Sequence, residues 1–360
     1  MSRSTRLDWA RSMAVEWSWW RVDPSTWRDV EPLGSVVSAD MTYDADTSTY
    51  VSASLETDDY WGGELWARCY LDATQRGVRE RICIATVMCE SPRREVGVAL
   101  VTTHVDGYGP LRALSDERVG IGWSITEGTP ALHAAASVAR QYGIAPVVEP
   151  VGSTYVMDET WVAGDNDTAL DVVTKLAAKA GHEVTCDPDG RTCLVPSLRT
   201  SALAPVVTLD GSRDAGILLP GVSEETDWLE VPNVVEVVHS ENSRTVLAIA
   251  SNDDPNSPLS TVSRGRRVVA RVVDPDELGA GATQEAADML ARKLLADRSC
   301  RVRTVQYTRG FDPRIECGDC VRVLLPEHGI DVTGRVTRQD LSCTTEATVR
   351  ETVTVQERVW

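Results

Sequence analysis

The chain has 360 residues, 42% hydrophobic and 25% charged, which is too long for one ordinary core and too apolar for general disorder, so two or three domains are expected. Its 36 Lys and Arg against 54 Asp and Glu leave a net charge of −18, which repels phosphates and argues against stable nucleic-acid binding. No apolar run reaches the roughly 18–20 residues that span a membrane, and Met1–Asp8 has basic residues with no apolar stretch behind them, so no secretory signal is expected.

Residues 1–110 read as a first, β domain. Strand-length segments at Val36–Tyr43, Ser48–Leu55, Leu65–Leu71 and Arg81–Val87 alternate with turn signals at Asp23-Pro24, Pro32-Leu33-Gly34, Asp58-Asp59, Trp61-Gly62-Gly63 and Gln75-Arg76-Gly77. Short strands at that spacing predict a sandwich or barrel. Tryptophans cluster at Trp9, Trp17, Trp19, Trp20 and Trp27 in a chain with a single Phe. Period-two geometry puts Trp17 and Trp19 on one strand face and Trp20 on the other. Three roles fit them: core filling in place of phenylalanine, anchoring against a neighbouring subunit, or stacking on sugars.

Residues 111–200 change character. Thr129-Pro130 predicts a helix over Ala131–Tyr142, with Thr129 as N-cap, Pro130 in the first turn and Gly143 as the stop. A second helix is predicted to start from Asp165-Asn166-Asp167, with Leu170, Val173, Leu176 and Ala180 on one face, ending at Gly181. A hairpin follows, Glu183–Thr185 and Thr192–Val195 around Asp187-Pro188-Asp189-Gly190. The stretch reads as a small α/β insertion.

Residues 201–360 return to β, with strands at Val234–Val238 and Val246–Ala250 joined by the polar turn Ser240–Ser243. Asn252–Pro258, with two prolines, is a loop. Val268–Val273 is a strand, then Thr283 caps a helix near 283–298 whose apolar stripe is Ala286, Met289, Leu290 and Leu294. After a strand through Val302–Tyr307, the chain closes on a long strand with Thr348, Arg350, Thr352 and Thr354 on one face and Val349, Val353, Val355 and Val359 on the other. Its polar face is expected to be wet or to line a channel.

No sequence pattern for a nucleophile elbow, a zinc protease, a phosphate loop or a dinucleotide fold is present. The five histidines, His104, His133, His182, His239 and His328, are isolated and read as surface or cap residues; His182 follows a helix C-terminus, where a cation suits the dipole. Asp165, Asp167, Asp253 and Asp254 crowd in pairs, which suits capping and turn chemistry better than a calcium loop, since no distal Glu completes one. Of nine cysteines, Cys186 and Cys193 flank the hairpin turn and could face each other, while Cys317-Gly318-Asp319-Cys320 has a zinc-knuckle gap without a second pair. Buried free thiols are the default in such a chain. Arg264-Gly265-Arg266-Arg267 is the one dense basic run, too short for a nucleic-acid site; it reads as a solvated turn or as an intersubunit ion-pair partner of Asp253 or Asp254. The expectation is no catalytic site, no cofactor and no metal.

One family has this ordered set of features. Pro232-Asn233 and the hairpin after it, Asn252–Pro258, Arg264–Arg267, the 283–298 helix and Asp312-Pro313 through Gly318-Asp319-Cys320 resemble tail-tip hub proteins (baseplate hub or minor tail proteins) of long-tailed bacteriophages, of the actinobacterial type. Val22–Trp27, Ser38–Tyr43 and Ser52–Leu55 look like the opening barrel of such proteins, Arg112–Arg118 like its exit, and Asp171–Gly181 with the Asp187–Gly190 hairpin like the helix–hairpin insert. Cys317 and Cys320 depart from the Pro-Gly-Asp turn usual there. The resemblance implies a mostly-β fold in which two hub-type β-barrel domains, 1–110 and 201–360, the second with one helix, flank a small helix–hairpin domain, 111–200. It also implies a structural, non-enzymatic homotrimer at the virion tail tip, assembled in the host cytoplasm. Such a ring adapts the sixfold tail tube to a threefold tip and closes the channel until DNA ejection. Its partners would be the distal tail or tail-tube ring, the tape-measure protein and a tip fibre or spike. Interface candidates are Trp17, Trp19, Trp20, Trp27, Arg264, Arg266, Arg267, Asp253 and Asp254. A fused peptidoglycan hydrolase, common in relatives, is not expected because the sequence stops at Trp360 after its last strand. The alternative function is a glycan-binding or glycan-depolymerising tail protein; a cell-surface hydrolase unrelated to phage is a weaker third.

Overall fold

The computed structural model describes residues 5–34, 36–59, 61, 63–96, 101–197, 203–212, 217–241, 244–275, 278 and 281–358. The turn at 242–243, Gly62 and Val359, all used above, lie outside them. The chain is mostly β. It divides into two compact units, the first made of residues 1–222 and 306–353 and the second of 223–305 and 354–360.

The early strands are β1 (Ala14–Asp23), β2 (Arg28–Leu33), β3 (Val36–Asp44), β4 (Val51–Thr57), β5 (Leu65–Gln75), β6 (Val78–Val96) and β7 (Val101–Tyr108). The insertion holds α1 (Leu111–Asp116), β8 (Ser124–Ile125), α2 (Ala131–Tyr142), β9 (Trp161–Val162), α3 (Ala169–Lys179), β10 (His182–Cys186) and β11 (Thr192–Pro196). The rest comprises β12 (Val207–Asp210), β13 (Leu218–Asp227), β14 (Val234–Glu241), β15 (Arg244–Ser251), α4 (Thr261–Arg264), β16 (Val269–Val273), α5 (Gln284–Arg298), β17 (Cys300–Gly310), β18 (Cys320–Leu325), β19 (Ile330–Ser342) and β20 (Thr348–Arg358).

One 13-stranded sheet runs β13-β17-β20-β19-β3-β4-β7-β6-β5-β1-β2, with β12 and β18 attached at β19. Its middle joint is long-range: β19 pairs antiparallel with β3, Leu341 against Met41 and Ser342 against Asp40. β4 shows why these strands form, since Val51, Ala53, Leu55 and Thr57 all point inward while their neighbours are more exposed. β5 is buried on both faces: Ala67, Cys69, Leu71 and Ala73 enter the main core, and Trp66, Arg68 and Asp72 are buried on the opposite face.

The insertion packs on the same core through Ala131, Leu132, Ala135 and Val138 of α2 and Leu170, Val173 and Leu176 of α3. Its helix starts differ from the sequence expectation. Pro130 is the N-cap of α2, without a side-chain bond, because an isolated bridge to Val156 holds it extended. For α3 the cap is Thr168, in a reciprocal capping box with Asp171, rather than Asp165–Asp167. Asp167 instead closes the preceding turn, accepting from Gly164 N–H and Lys175 Nζ.

In the second unit, β15-β14-β16 form a three-stranded sheet covered on one face by α5. Thr283 caps α5 as expected, accepting from Ala286 N–H. The buried stripe, however, is Ala287, Leu290, Ala291 and Leu295, and Met289 is 61% exposed. The helix carries the doublets Ala286-Ala287 and Leu294-Leu295, so two stripes one residue apart fit the pattern equally well; packing against Val235, Val237 and Ala248 selects one.

Candidate functional site

The first unit fastens its helix–hairpin insertion to the sheet at two places. The first is the hairpin tip. β10 and β11 pair from His182↔Pro196 to Cys186↔Thr192, and the Asp187–Gly190 turn lands on the second face of β5 and β6. That face carries Trp66, Arg68 and Thr86, with Arg68 opposite Thr86 in register. Arg68 donates to Asp189 O at 3.0 Å, Thr86 Oγ1 to Pro188 O at 3.0 Å and Trp27 Nε1 to Asp189 O at 2.8 Å. The Trp27 ring also packs on Trp66, centroids 5.1 Å apart. Gly190 is required twice over. Its φ is +79°, and a Cβ there would lie 2.7 Å from Thr86 Cβ and 3.0 Å from the Trp27 ring.

Arg68 is 6% exposed, so burial works against its charge. Cys83, Tyr70 and Asp29 outweigh that and hold its pKa above the ordinary value; the Asp29 carboxylate sits 2.9 Å away. Further along the same face, nearly buried Asp72 is bound by Arg81 at 2.7 Å.

The second fastening is a two-pronged ion pair from Arg335 on β19 to Glu183 on β10. Between the two lies a cavity of about 720 Å³, walled by Tyr43, Tyr50, Phe311, Pro188, Arg335 and Gln339. Its polar groups are largely spent within the chain: Tyr50 donates to Cys317 O at 2.9 Å and Tyr43 to Ile84 O. Burial pushes the Tyr50 phenol up and the Cys317 thiol up to about 12, so both are neutral at pH 7. One wall, Gln339, reaches into a fully buried polar cluster in which Glu351 accepts from Arg309, Tyr307 and Gln339. Arg309 and Glu351 side chains are both 0% exposed. These are the contacts of a fastened joint, with donors aimed at carbonyls and carboxylates of the chain itself.

The N-terminal tryptophans fall where period two puts them. Trp19 is buried in the core; Trp17 is half-buried and donates to Thr344 O at 2.8 Å. Trp20 lies opposite Arg68 on the hairpin-bearing face, half-buried. Trp27 is the hairpin clamp. The charged candidates belong to the second unit. Arg264 donates to the carbonyls of Trp228, Leu229 and Val231, and Arg266 to Leu229 O. Arg267 is 4.0 Å from Glu236. Asp253 accepts from Ser251 and Thr261, and Asp254 from Asn256 N–H. Hydrogen bonds from Thr261 and Ser251 hold the Asp253 carboxyl below its usual value.

Cys186 and Cys193 do not face each other, because Cys186 pairs with Thr192 and Cys193 with Thr185, one residue out of step. Cys317 and Cys320 are buried free thiols, Cys317 bonded to Thr337 O at 3.3 Å. His182 is buried against the end of α3, its Nδ1 2.8 Å from Ala180 O. Arg68, Arg309 and Glu351 were not among the sequence candidates. Glu351 had a visible signal: it is in phase with Val349 and Val353 on the inward face of β20.

No family model and no curated protein matches the chain by sequence. By structure, it superposes on the tail protein of Neisseria meningitidis MC58 with a TM-score of 0.66 at 18% identity, covering 97% of this chain and 98% of that one. The chain has the fold of a tail protein. The 43 kDa tail protein of prophage MuSo2 from Shewanella oneidensis gives a TM-score of 0.64 at 14% identity, over 94% and 97% of the two chains. Prophage tail protein gp18 from Listeria monocytogenes gives 0.53 at 12%, over 94% of each. The Francisella PdpA–VgrG complex contains a similar chain, with a TM-score of 0.57 at 8% identity, covering 97% of this chain and 53% of that one. At these identities the likeness is one of fold.

Proposed function

We propose that the chain is a structural hub protein of a phage tail tip, of the actinobacterial type its residues suggest, and not an enzyme. The observation that carries this reading is end-to-end likeness: nearly the whole chain matches nearly the whole of three tail proteins. Residues 1–110 and 201–360 each supply one hub-type domain, with 111–200 fastened between them. Three copies form a ring of six such domains, matching a sixfold tube above and a threefold spike or fibre below. Its partners are the tail-tube ring, the tape-measure protein and that tip protein, and it closes the channel until ejection. Where part of the −18 charge faces the lumen, passing DNA is kept from adhering.

The glycan-handling alternative is less well supported. Trp19 is buried, and Trp17 and Trp27 spend their indole N–H on carbonyls of the chain itself. Electron-microscopic averaging of the purified protein, alone and mixed with tail-tube protein, tests the hub reading. Threefold rings with a central opening and six lobes on one face are expected. Any other symmetry, or single copies in both samples, would overturn it.

A further inference from the structure

The cavity between the hairpin and the sheet is more than the gap left by two fastenings. At about 720 Å³ it lies in the size range of small-molecule sites, and its walls set a few polar groups among apolar and aromatic ones. Tyr43 and Tyr50 meet edge to face, centroids 6.3 Å apart, and Phe311 is held by an edge contact with Trp9 at 5.5 Å. The donors on these walls are already engaged. Besides the two phenols, Gln339 gives its amide N–H groups to Ile315 O and Glu351, Cys83 its S–H to Pro188 O and Cys317 its S–H to Thr337 O.

Negative charge, by contrast, is in surplus. Five carboxylates and two guanidiniums line the cavity. Arg335 is taken by Glu183, and Arg191 by Asp187 at 2.7 Å, which leaves three formal negative charges, on Asp189, Glu316 and Asp319. Burial pushes the Cys193 thiol up to about 11 and the Cys317 thiol up to about 12, so neither adds charge at pH 7. The backbone of Asp319 is pinned on both sides, its N–H donating to Glu316 O at 3.1 Å and its O accepting from Val336 N–H at 2.8 Å. Its carboxylate accepts from Glu316 N–H at 2.9 Å, and no lysine, arginine or histidine among the described residues makes an ion pair with it. Burial raises its pKa, an effect that the hydrogen bond and the positive charges about it only partly offset. A carboxylate held in one place, short of water and of an ion-pair partner, is stabilised by any cation that reaches it.

A bare metal ion does not fit, since among the described residues no group of three His, Cys, Asp or Glu could hold one. An apolar box with a surplus of carboxylates suits a cation that carries its own hydrocarbon, because aromatic faces attract an ammonium group as well as the carbon attached to it. We propose that this cavity binds a small organic cation, an ammonium group on an apolar body, with the charge at Asp319 and the body among Tyr43, Tyr50 and Phe311. This binding is a second activity that does not depend on the hub reading.

The test is calorimetric titration of the full chain with three probes of one shape and different charge: phenethylammonium, 2-phenylethanol and 3-phenylpropionate. The ammonium is expected to bind, the alcohol at least tenfold more weakly and the carboxylate not at all. Asp319→Asn keeps an oxygen for Glu316 N–H. It is expected to weaken ammonium binding about tenfold and leave the alcohol unchanged. Its thermal midpoint should match or exceed that of wild type, because burial disfavours the charge it removes. Phe311→Leu, which keeps the wall apolar, is expected to weaken ammonium binding about threefold through loss of the ring face. Equal affinity for ammonium and alcohol would overturn the proposal, as would binding of the carboxylate or no binding of the ammonium at millimolar concentration. Ammonium affinity unchanged in Asp319→Asn would overturn it too, by placing the charge elsewhere. Particle symmetry is a separate readout, so this proposal and the hub reading can fail independently.

Discussion

Arg309 in the first unit and Arg264 in the second are both drawn partly or wholly out of water, and they are balanced in opposite ways. Arg309 is fully buried and meets a carboxylate, Glu351, which Tyr307 and Gln339 also bond. Among the described residues Arg264 meets no carboxylate, and it gives its donors to three carbonyls of one loop. A full counter-charge fixes strands in the interior, where either partner alone would be a large penalty. Carbonyl dipoles suffice near the surface, where water shares the load and the purpose is to hold a loop's shape. The first arrangement therefore governs stability and the second governs presentation.

The largest test of that contrast is Glu351→Ala, which strands a buried guanidinium and should cost about 3–5 kcal/mol, read as a lowered denaturant midpoint of the first unit. A loss below about 1 kcal/mol would mean that the cluster is not acting as a charge pair. Next is Gly190→Ala, which adds a Cβ against Thr86 in a left-handed backbone and should cost about 1–3 kcal/mol. Its mark should be faster hydrogen exchange in β10 and β11, the fastened hairpin. A third is set by pH. Hydrogen bonds from Arg81 hold the Asp72 carboxyl below its usual value. The ionised form therefore stabilises the fold above the unfolded pKa near 3.9, and this contribution is lost as pH falls through the lower folded pKa. Asp72→Asn should be less stable by about 1 kcal/mol at pH 7 and match wild type at the acid end, measured by thermal melts across pH. The smallest stability effect belongs to Arg264→Gln, under about 1 kcal/mol, with faster exchange confined to Leu229–Val231. A loss comparable to that of Glu351→Ala would erase the distinction between the two arginines.

Much of the local fold was legible in the sequence. The Asp-Pro-Asp-Gly turn, the Gly181 stop and the Thr283 cap are local chemistry, and the structure has each where the residues place it. What could not be read was set by distance along the chain. Nothing in Trp27 or Arg68 says that a turn more than a hundred residues later will land on them. Glu351 could have been noticed as a charge in phase with valines, but its partner Arg309 lies on another strand. Arg264–Arg267 stood out as a basic run, yet donors to carbonyls leave no complementary charge in the sequence to find. Trp228 was overshadowed by the N-terminal tryptophan cluster, although it is more exposed than all five members of that cluster.

The pairing of β3 with β19 also has a consequence in time. Ser342 bonds Asp40 across 302 residues, so during synthesis β3 waits for that length of chain to be made before the joint can form. At about 5–20 residues per second the wait is on the order of 15–60 s. Throughout it β3 presents an unpaired row of backbone donors and acceptors, an open template for another nascent chain. Helices α2 and α3 of the insertion, which also pack on each other, can begin to settle within that interval. The joint then closes as β19 enters a slot made ready by the much earlier pairing of β3 with β4.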